Sequence, residues 1–180
     1  MNGLQEKYQK EVVPQMMVKF GYQNAIAVPK IEKAVVNVGV GRLRDEKQHQ
    51  EVERFLAFIT GQKSVPRTAK KAIASFKSRK GMVVGYQVTL RGQRMYDFLT
   101  RLIRVALPRT KDFRGIEERS FDEGGNLTIG VKEHIVFPEM LGEDYHLLFG
   151  LEVTVVTGAK RREEGIELLR LMGFPVKGLV

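Results

Sequence analysis

Three histidines, a glycine pair and a run of lysines and arginines are the residues here whose types and spacing could carry chemistry. His49, His134 and His146 do not stand at metal-ligand spacing to one another, and the chain has no cysteine. No serine or threonine occupies a GxSxG nucleophile elbow. Glu163 and Glu164 are adjacent acids, but they open a predicted helix, where acids suit the helix dipole. Gly39-Val40-Gly41 falls after a strand and before a helix, as a dinucleotide fingerprint does. Leu43-Arg44-Asp45 follows it, so the third glycine is missing and the motif reads as a tight turn. These residues assemble neither an acid–base pair nor an activated nucleophile. These residues by themselves therefore point to no catalytic, cofactor or metal site, and neither a cofactor nor a metal is expected.

The basic residues are more informative. The net charge of the 180 residues is +9, and it is unevenly placed. From Arg54 to Tyr96 there are ten Lys or Arg and no Asp or Glu, whereas Glu117 to Val180 holds seven bases and twelve acids. A block of this kind is the footprint of a polyphosphate partner. Its densest part is TAKKAIASFKSRKG, from Thr68 to Gly81. Lys70, Lys71, Lys77, Arg79 and Lys80 can neutralise phosphates, and Phe76 can stack on a base or ribose. The segment follows no clean period and reads as a long, solvated basic connection.

The elements that must position these groups follow from apolar spacing. Leu4 to Phe20 is predicted as a helix, divided by Pro14 and capped at Gly21. Asp45 to Ile59 is a second helix, with Asp45 as N-cap, Gly61 as C-cap and Val52, Phe55, Leu56 and Ile59 as its buried stripe. A third carries Met95, Phe98, Leu99, Leu102, Ile103, Ala106 and Leu107 inward and is expected to stop at Pro108. A fourth spans Arg162 to Met172 and ends at Gly173. Strands are predicted over Ile31 to Val40, Met82 to Arg91 and Leu151 to Val156, with loop and hairpin between Asp112 and Val136 around Gly124-Gly125-Asn126.

The alternation puts Val36, Val38, Val40, Val84, Tyr86, Val88 and Leu90 on one face. Asn37, Gly39, Gly85, Gln87, Thr89 and Arg91 fall on the other. Such one-sided strands predict an α+β sandwich, a single domain over residues 1–180 with one sheet face under helices and the other open. Glycines thin that open face, and its amide and hydroxyl groups can bond sugars and phosphates. No apolar run reaches membrane-spanning length, and a cytoplasmic location is expected.

The runs VPKIEKAVVNVGVG, TGQK, KKAIASFKSRKG, VTLRG-x-RMYDFL, LPRTKDFRG, SFDEGGN, GVKEHIVFPE and EEGIELL-x-x-MGFP resemble, in this order, the fifth protein of the bacterial large ribosomal subunit. The resemblance covers roughly Tyr8 to Lys177. It implies a curved antiparallel sheet with helices behind it and RNA in front, a cytoplasmic place in the ribosome, and no enzymatic activity. It implies 5S rRNA as partner, contacted through Asn37, Gln62, Phe76 and Thr89, beside which the open-face residues Gln87 and Arg91 are added. It further implies 23S rRNA and other proteins of the central protuberance as neighbours. The basic loop at about 68–81, with Lys70, Lys71, Lys77, Arg79 and Lys80, would reach peptidyl-site tRNA. Asp112, Phe113, Arg114 and Gly115 would contribute to a bridge with small-subunit protein thirteen. Arg42 and Arg44 stand where family members are often acidic or neutral, and Glu123 departs from the family's small-then-basic turn.

Overall fold

The period-two strands form a single five-stranded antiparallel sheet in the order β2-β3-β1-β5-β4. These are β1 (Ile31–Gly39), β2 (Val65–Thr68), β3 (Val83–Leu90), β4 (Leu127–Val131) and β5 (Leu151–Thr157). The computed structural model describes residues 3–43, 45–72, 79–111 and 113–177. Ala34, Val36 and Val38 of β1 lie opposite Leu90, Val88 and Tyr86 of β3, all of them buried. On the other side Ala34 and Val36 meet Val155 and Val153, which in turn meet Leu127 and Ile129 of β4. One row of side chains thus runs inward across the sheet. At Ile31 the alternation breaks because the β1–β5 register shifts between Ile31 and Lys33. That bulge lets Ile31 and Ala34 both point into the core.

Among the described residues, four helices cover this apolar face. α1 begins as Leu4–Lys7, widens to a π-helical turn over Tyr8–Val12 and ends as Val13–Phe20. α2 spans Glu46–Thr60, with the Asp45 carboxylate accepting from the Lys47 N–H at 3.0 Å and Gly61 (φ 68°) ending it. α3 runs as Gly92–Arg101, then a π-helical turn Leu102–Ala106, then Leu107–Arg109. α4 is Arg162–Met172. The predicted stripes of α2 and α3 are buried, with Ile103 partly so. The expected stop at Pro108 is corrected, since α3 passes through it to Arg109. Pro14 and Pro108 lack an N–H, and in both helices the turn before the proline widens to π spacing. That rearranges the carbonyls a proline cannot serve, so the helix survives.

The stretch from Val65 to Thr68, partly read as connection, is also corrected. It is edge strand β2, paired with β3 through Val65–Gln87, Pro66–Tyr86 and Arg67–Gly85. All four of its residues are exposed. The expected hairpin between Asp112 and Val136 reduces to one bridge, Phe121–Leu127, because β4 pairs with β5 instead.

The SFDEGGN turn is a packing device. Asp122 accepts from the Asn126 backbone N–H and side-chain amide, both at 2.8 Å. These bonds hold its carboxyl below the usual aspartate range, the Asn126 side chain contributing most. Asn126 Oδ1 accepts from Thr157 N–H at 2.9 Å, and the Thr157 hydroxyl donates to the Gly125 carbonyl at 3.1 Å. The turn so fixed presses its backbone onto α4 at Gly165, where an added Cβ would run into the Gly125 carbonyl oxygen. Two residues further along α4, buried Glu167 accepts from Lys19 of α1 at 2.9 Å and from Arg170 at 2.7 Å. Burial pushes its carboxyl up, but the two cations together hold it below the usual range.

His134 belongs to the core. Its ring stacks on Phe149 at 4.0 Å between centroids, with Phe55 at 5.5 Å and the edge of Tyr145 at 5.8 Å. Nδ1 accepts from the Phe149 N–H at 3.5 Å. Burial lowers its pKa, against smaller upward contributions from that bond and from Glu51.

Two outcomes follow. Gly165→Ala should destabilise the protein by about 3–5 kcal/mol in urea unfolding, because backbone blocks backbone. Gly130→Ala, whose Cβ meets nothing within 4 Å, should stay within about 0.5 kcal/mol of the parent. Burial disfavours the protonated form of His134 in the folded state, so the unfolded chain binds this proton first. Stability should be complete above the ordinary histidine pKa of about 6.5 and fall as pH drops through it, by at most about 1.4 kcal/mol per pH unit. Denaturation midpoints measured between about pH 5 and 7 should lose most of this slope in His134→Phe.

Candidate nucleic-acid interface

The outward rows of the sheet set the geometry of the candidate site. Side chains at paired positions project side by side from one face. One row reads Val65, Gln87, Asn37, Glu152, Gly130 from β2 to β4. The next reads Thr89, Val35, Thr154, Thr128, with the two threonine hydroxyls of β4 and β5 3.2 Å apart. A third places Arg67 beside Gly85 and Gly39. Asn37 and Gln87, predicted separately from two strands, are therefore direct neighbours.

Local bonds fix several of these groups. The guanidinium of Arg67 donates through Nε to Gln87 Oε1 at 2.5 Å, which holds the glutamine against the sheet edge. Gln62, in the connection after α2, donates its amide to the Thr89 carbonyl at 3.2 Å. β2 begins only at Val65, so the Gln62 side chain serves a carbonyl beyond the reach of the edge strand. Gln62 and Thr89 are thereby brought together. Arg91 is exposed just past the end of β3, at the N-cap of α3.

The glycines divide into two kinds. A Cβ on Gly85 would lie 2.9 Å from the Val38 carbonyl, so Gly85 accommodates the neighbouring strand and not a partner. At Gly39 and Gly130 a Cβ would meet nothing within 4 Å. These two leave the outer surface low.

The described ends of the basic segment continue from β2 and lead into β3. Ala69 donates to the Met82 carbonyl at 2.8 Å, and Gly81 donates to Ala69 at 3.0 Å, closing its base. Lys70 and Lys71 on one arm and Arg79 and Lys80 on the other are exposed. Phe76 and Lys77 lie outside the described residues.

The DFRG motif is anchored elsewhere, along the C-terminal stretch. Ile116 donates to Pro175 at 2.8 Å and Lys177 to Ile116 at 2.9 Å. Asp112 lies outside the described residues. Phe113 is half-buried and packs against the core, and Gly115 (φ 95°) fits under Lys177. Arg114 is the exposed side chain among the described residues of the motif.

Sequence reasoning missed two groups on the open face. Arg67 went unassigned because β2 was not recognised. Glu152 was overlooked because only the inward residues of β5 were read, although period two places it outward.

A family model described as ribosomal protein L5 matches residues 24–79, and a second, described as the C-terminus of that ribosomal protein family, matches residues 83–176. The large ribosomal subunit protein uL5 of Halothermothrix orenii is 52% identical over 176 residues, covering 97% of this chain and 98% of the relative. That of Dictyoglomus turgidum is 53% identical over 178 residues, covering 98% and 99%. The corresponding protein of Syntrophomonas wolfei is 50% identical, covering 98% and 100%.

The chain belongs to the uL5 family. It is accordingly a large-subunit ribosomal protein, a cytoplasmic rRNA-binding component of the translation machinery and not an enzyme. Membership of uL5 accounts for the acid-free block and for the absence of a catalytic constellation in the sequence. Among the described residues no helix is long and apolar enough to cross a membrane.

Proposed function

We propose that this uL5 protein holds 5S rRNA against the open face of its sheet and helps attach it in the central protuberance. The observation that carries this reading is the row in which Asn37 and Gln87 stand side by side, next to Thr89, on the face opposite the helices. RNA backbone and ribose offer donors and acceptors at close spacing, and short uncharged polar groups on a thin sheet can meet them. Gln62 and Arg91 extend the surface past the end of β3, and Phe76 adds a stacking group. Lysines and arginines of the acid-free block supply the salt-dependent attraction.

The basic hairpin reaches peptidyl-site tRNA in this reading. Lys70 and Lys71 on one arm and Arg79 and Lys80 on the other are exposed next to the bonds that close the hairpin base, where a second RNA could be touched apart from the sheet face. Lys77 belongs to the same set. Residues 112–115 contribute to the bridge with small-subunit protein thirteen, with Arg114 as the group that reaches outward and Phe113 and Gly115 as its support. 23S rRNA and other central-protuberance proteins complete the surroundings.

Asn37→Ala and Thr89→Ala should each weaken 5S rRNA binding by about 1–3 kcal/mol in filter binding at physiological salt. Their unfolding midpoints should stay close to the parent's. Parental affinity in both variants would remove the sheet face from the interface. Replacing Lys70, Lys71 and Arg79 by Gln should reduce peptidyl-site tRNA affinity of reconstituted ribosomes more than 5S affinity of the free protein. Equal losses would merge the two surfaces into one.

A further inference from the structure

Glu152 stands in the middle of a face that is otherwise suited to a polyanion. It is exposed, lies between Asn37 of β1 and Gly130 of β4, and has no hydrogen-bond or ion-pair partner among the described residues. Beside it is a depression of about 530 Å³ lined by Asn37, Gly39, Gly130, Lys132 and Gly150. Open glycine backbone at Gly39 and Gly130 leaves room there for a flat group.

An ionised carboxylate only accepts hydrogen bonds. Against phosphate it is repulsive, so an RNA that covers it must present donors. RNA donors are base N–H groups and the ribose 2′-hydroxyl. Among the four bases only guanine carries two adjacent donors, N1–H and the N2 amino group, set to meet both oxygens of one carboxylate. Its O6 beside them is an acceptor. Asn37, on the paired strand, can donate to it through its side-chain amide, and the Lys132 ammonium is a second donor at the rim. Adenine, cytosine and uracil each offer a single donor group on that edge, which leaves one carboxylate oxygen without a partner.

We infer that Glu152, with Asn37 and Lys132, reads the Watson–Crick edge of one unpaired guanine in the bound RNA. This rests on the reading of the open face as the 5S rRNA surface. Glu152 thereby acts as a specificity group on a surface whose affinity comes from elsewhere.

The test is filter binding of the full-length protein to 5S rRNA at fixed physiological salt. Glu152→Gln keeps the shape of the side chain but replaces one acceptor oxygen by a donor. It should bind about tenfold or more weakly, with an unchanged unfolding midpoint. In parallel, single guanosine-to-inosine substitutions at the unpaired positions of 5S rRNA delete only the N2 amino group. One of them should weaken the parent and leave Glu152→Gln unaffected further. An incidental acid predicts the opposite sign, since removing its charge tightens binding to a polyanion. Equal or tighter binding by Glu152→Gln overturns the inference, and so does an inosine penalty of the same size in both proteins. If Asn37→Ala and Thr89→Ala weaken binding while Glu152→Gln does not, only the guanine contact falls. If none of the three matters, or the parent does not bind 5S rRNA, the sheet-face reading falls with it.

Discussion

A sheet that buries one face and exposes the other binds every strand to a strict alternation, and here that alternation governs both the core and the makeup of the outward face. The same period that drives Ala34, Val36 and Val38 into the core turns Val35, Asn37 and Gly39 outward. A one-residue slip of β1 would bury Asn37 without a partner and expose three apolar side chains. The hydrophobic effect therefore fixes the register, and the register places the polar groups opposite one another across strands. No separate device is needed to align Asn37 with Gln87, because the core already aligns Val36 with Val88.

The helices serve this arrangement by sealing the apolar side. Their own irregularities are of local origin, as the two π-helical turns ahead of Pro14 and Pro108 illustrate. The C-terminal helix is held by contacts distant in sequence. Glu167 ties it to α1, and Gly165 lies against the turn that leads into β4. Much of the acidic C-terminal third is thus spent on packing and ion pairs within the helical layer and its connections. The acid-free block, by contrast, supplies β2, β3 and the hairpin between them.

Most of the fold was legible because its elements are strongly periodic. The three alternating strands and the stripes of α2, α3 and α4 stand within a residue or two of the boundaries their sequence implies. β2 was not legible. It holds a proline, an arginine and two β-branched residues, all exposed, and it is a strand only because β3 offers it an edge. No local pattern encodes such a partner. Pro108 failed as a stop signal because π spacing in the preceding turn absorbed the missing donor. On the candidate surface, Asn37, Gln87 and Thr89 followed directly from period two. The Gln62–Thr89 contact did not, since it joins residues 27 apart through a side chain that reaches the backbone. That Phe113 packs against the core was not legible either, since spacing alone does not show which loop aromatic turns inward.

The exposed edge strand has a bearing on the life of the protein before it meets RNA. Unpaired strand borders invite other chains to extend the sheet, which is the first step toward aggregation. β2 presents Pro66, which cannot donate a backbone hydrogen bond, and Arg67, whose charge repels a second copy of the same border. Four residues is also a short template for addition. A newly made copy awaiting its place in the subunit thus carries a border that discourages self-association, while the broad polar surface beside it stays open to nucleic acid.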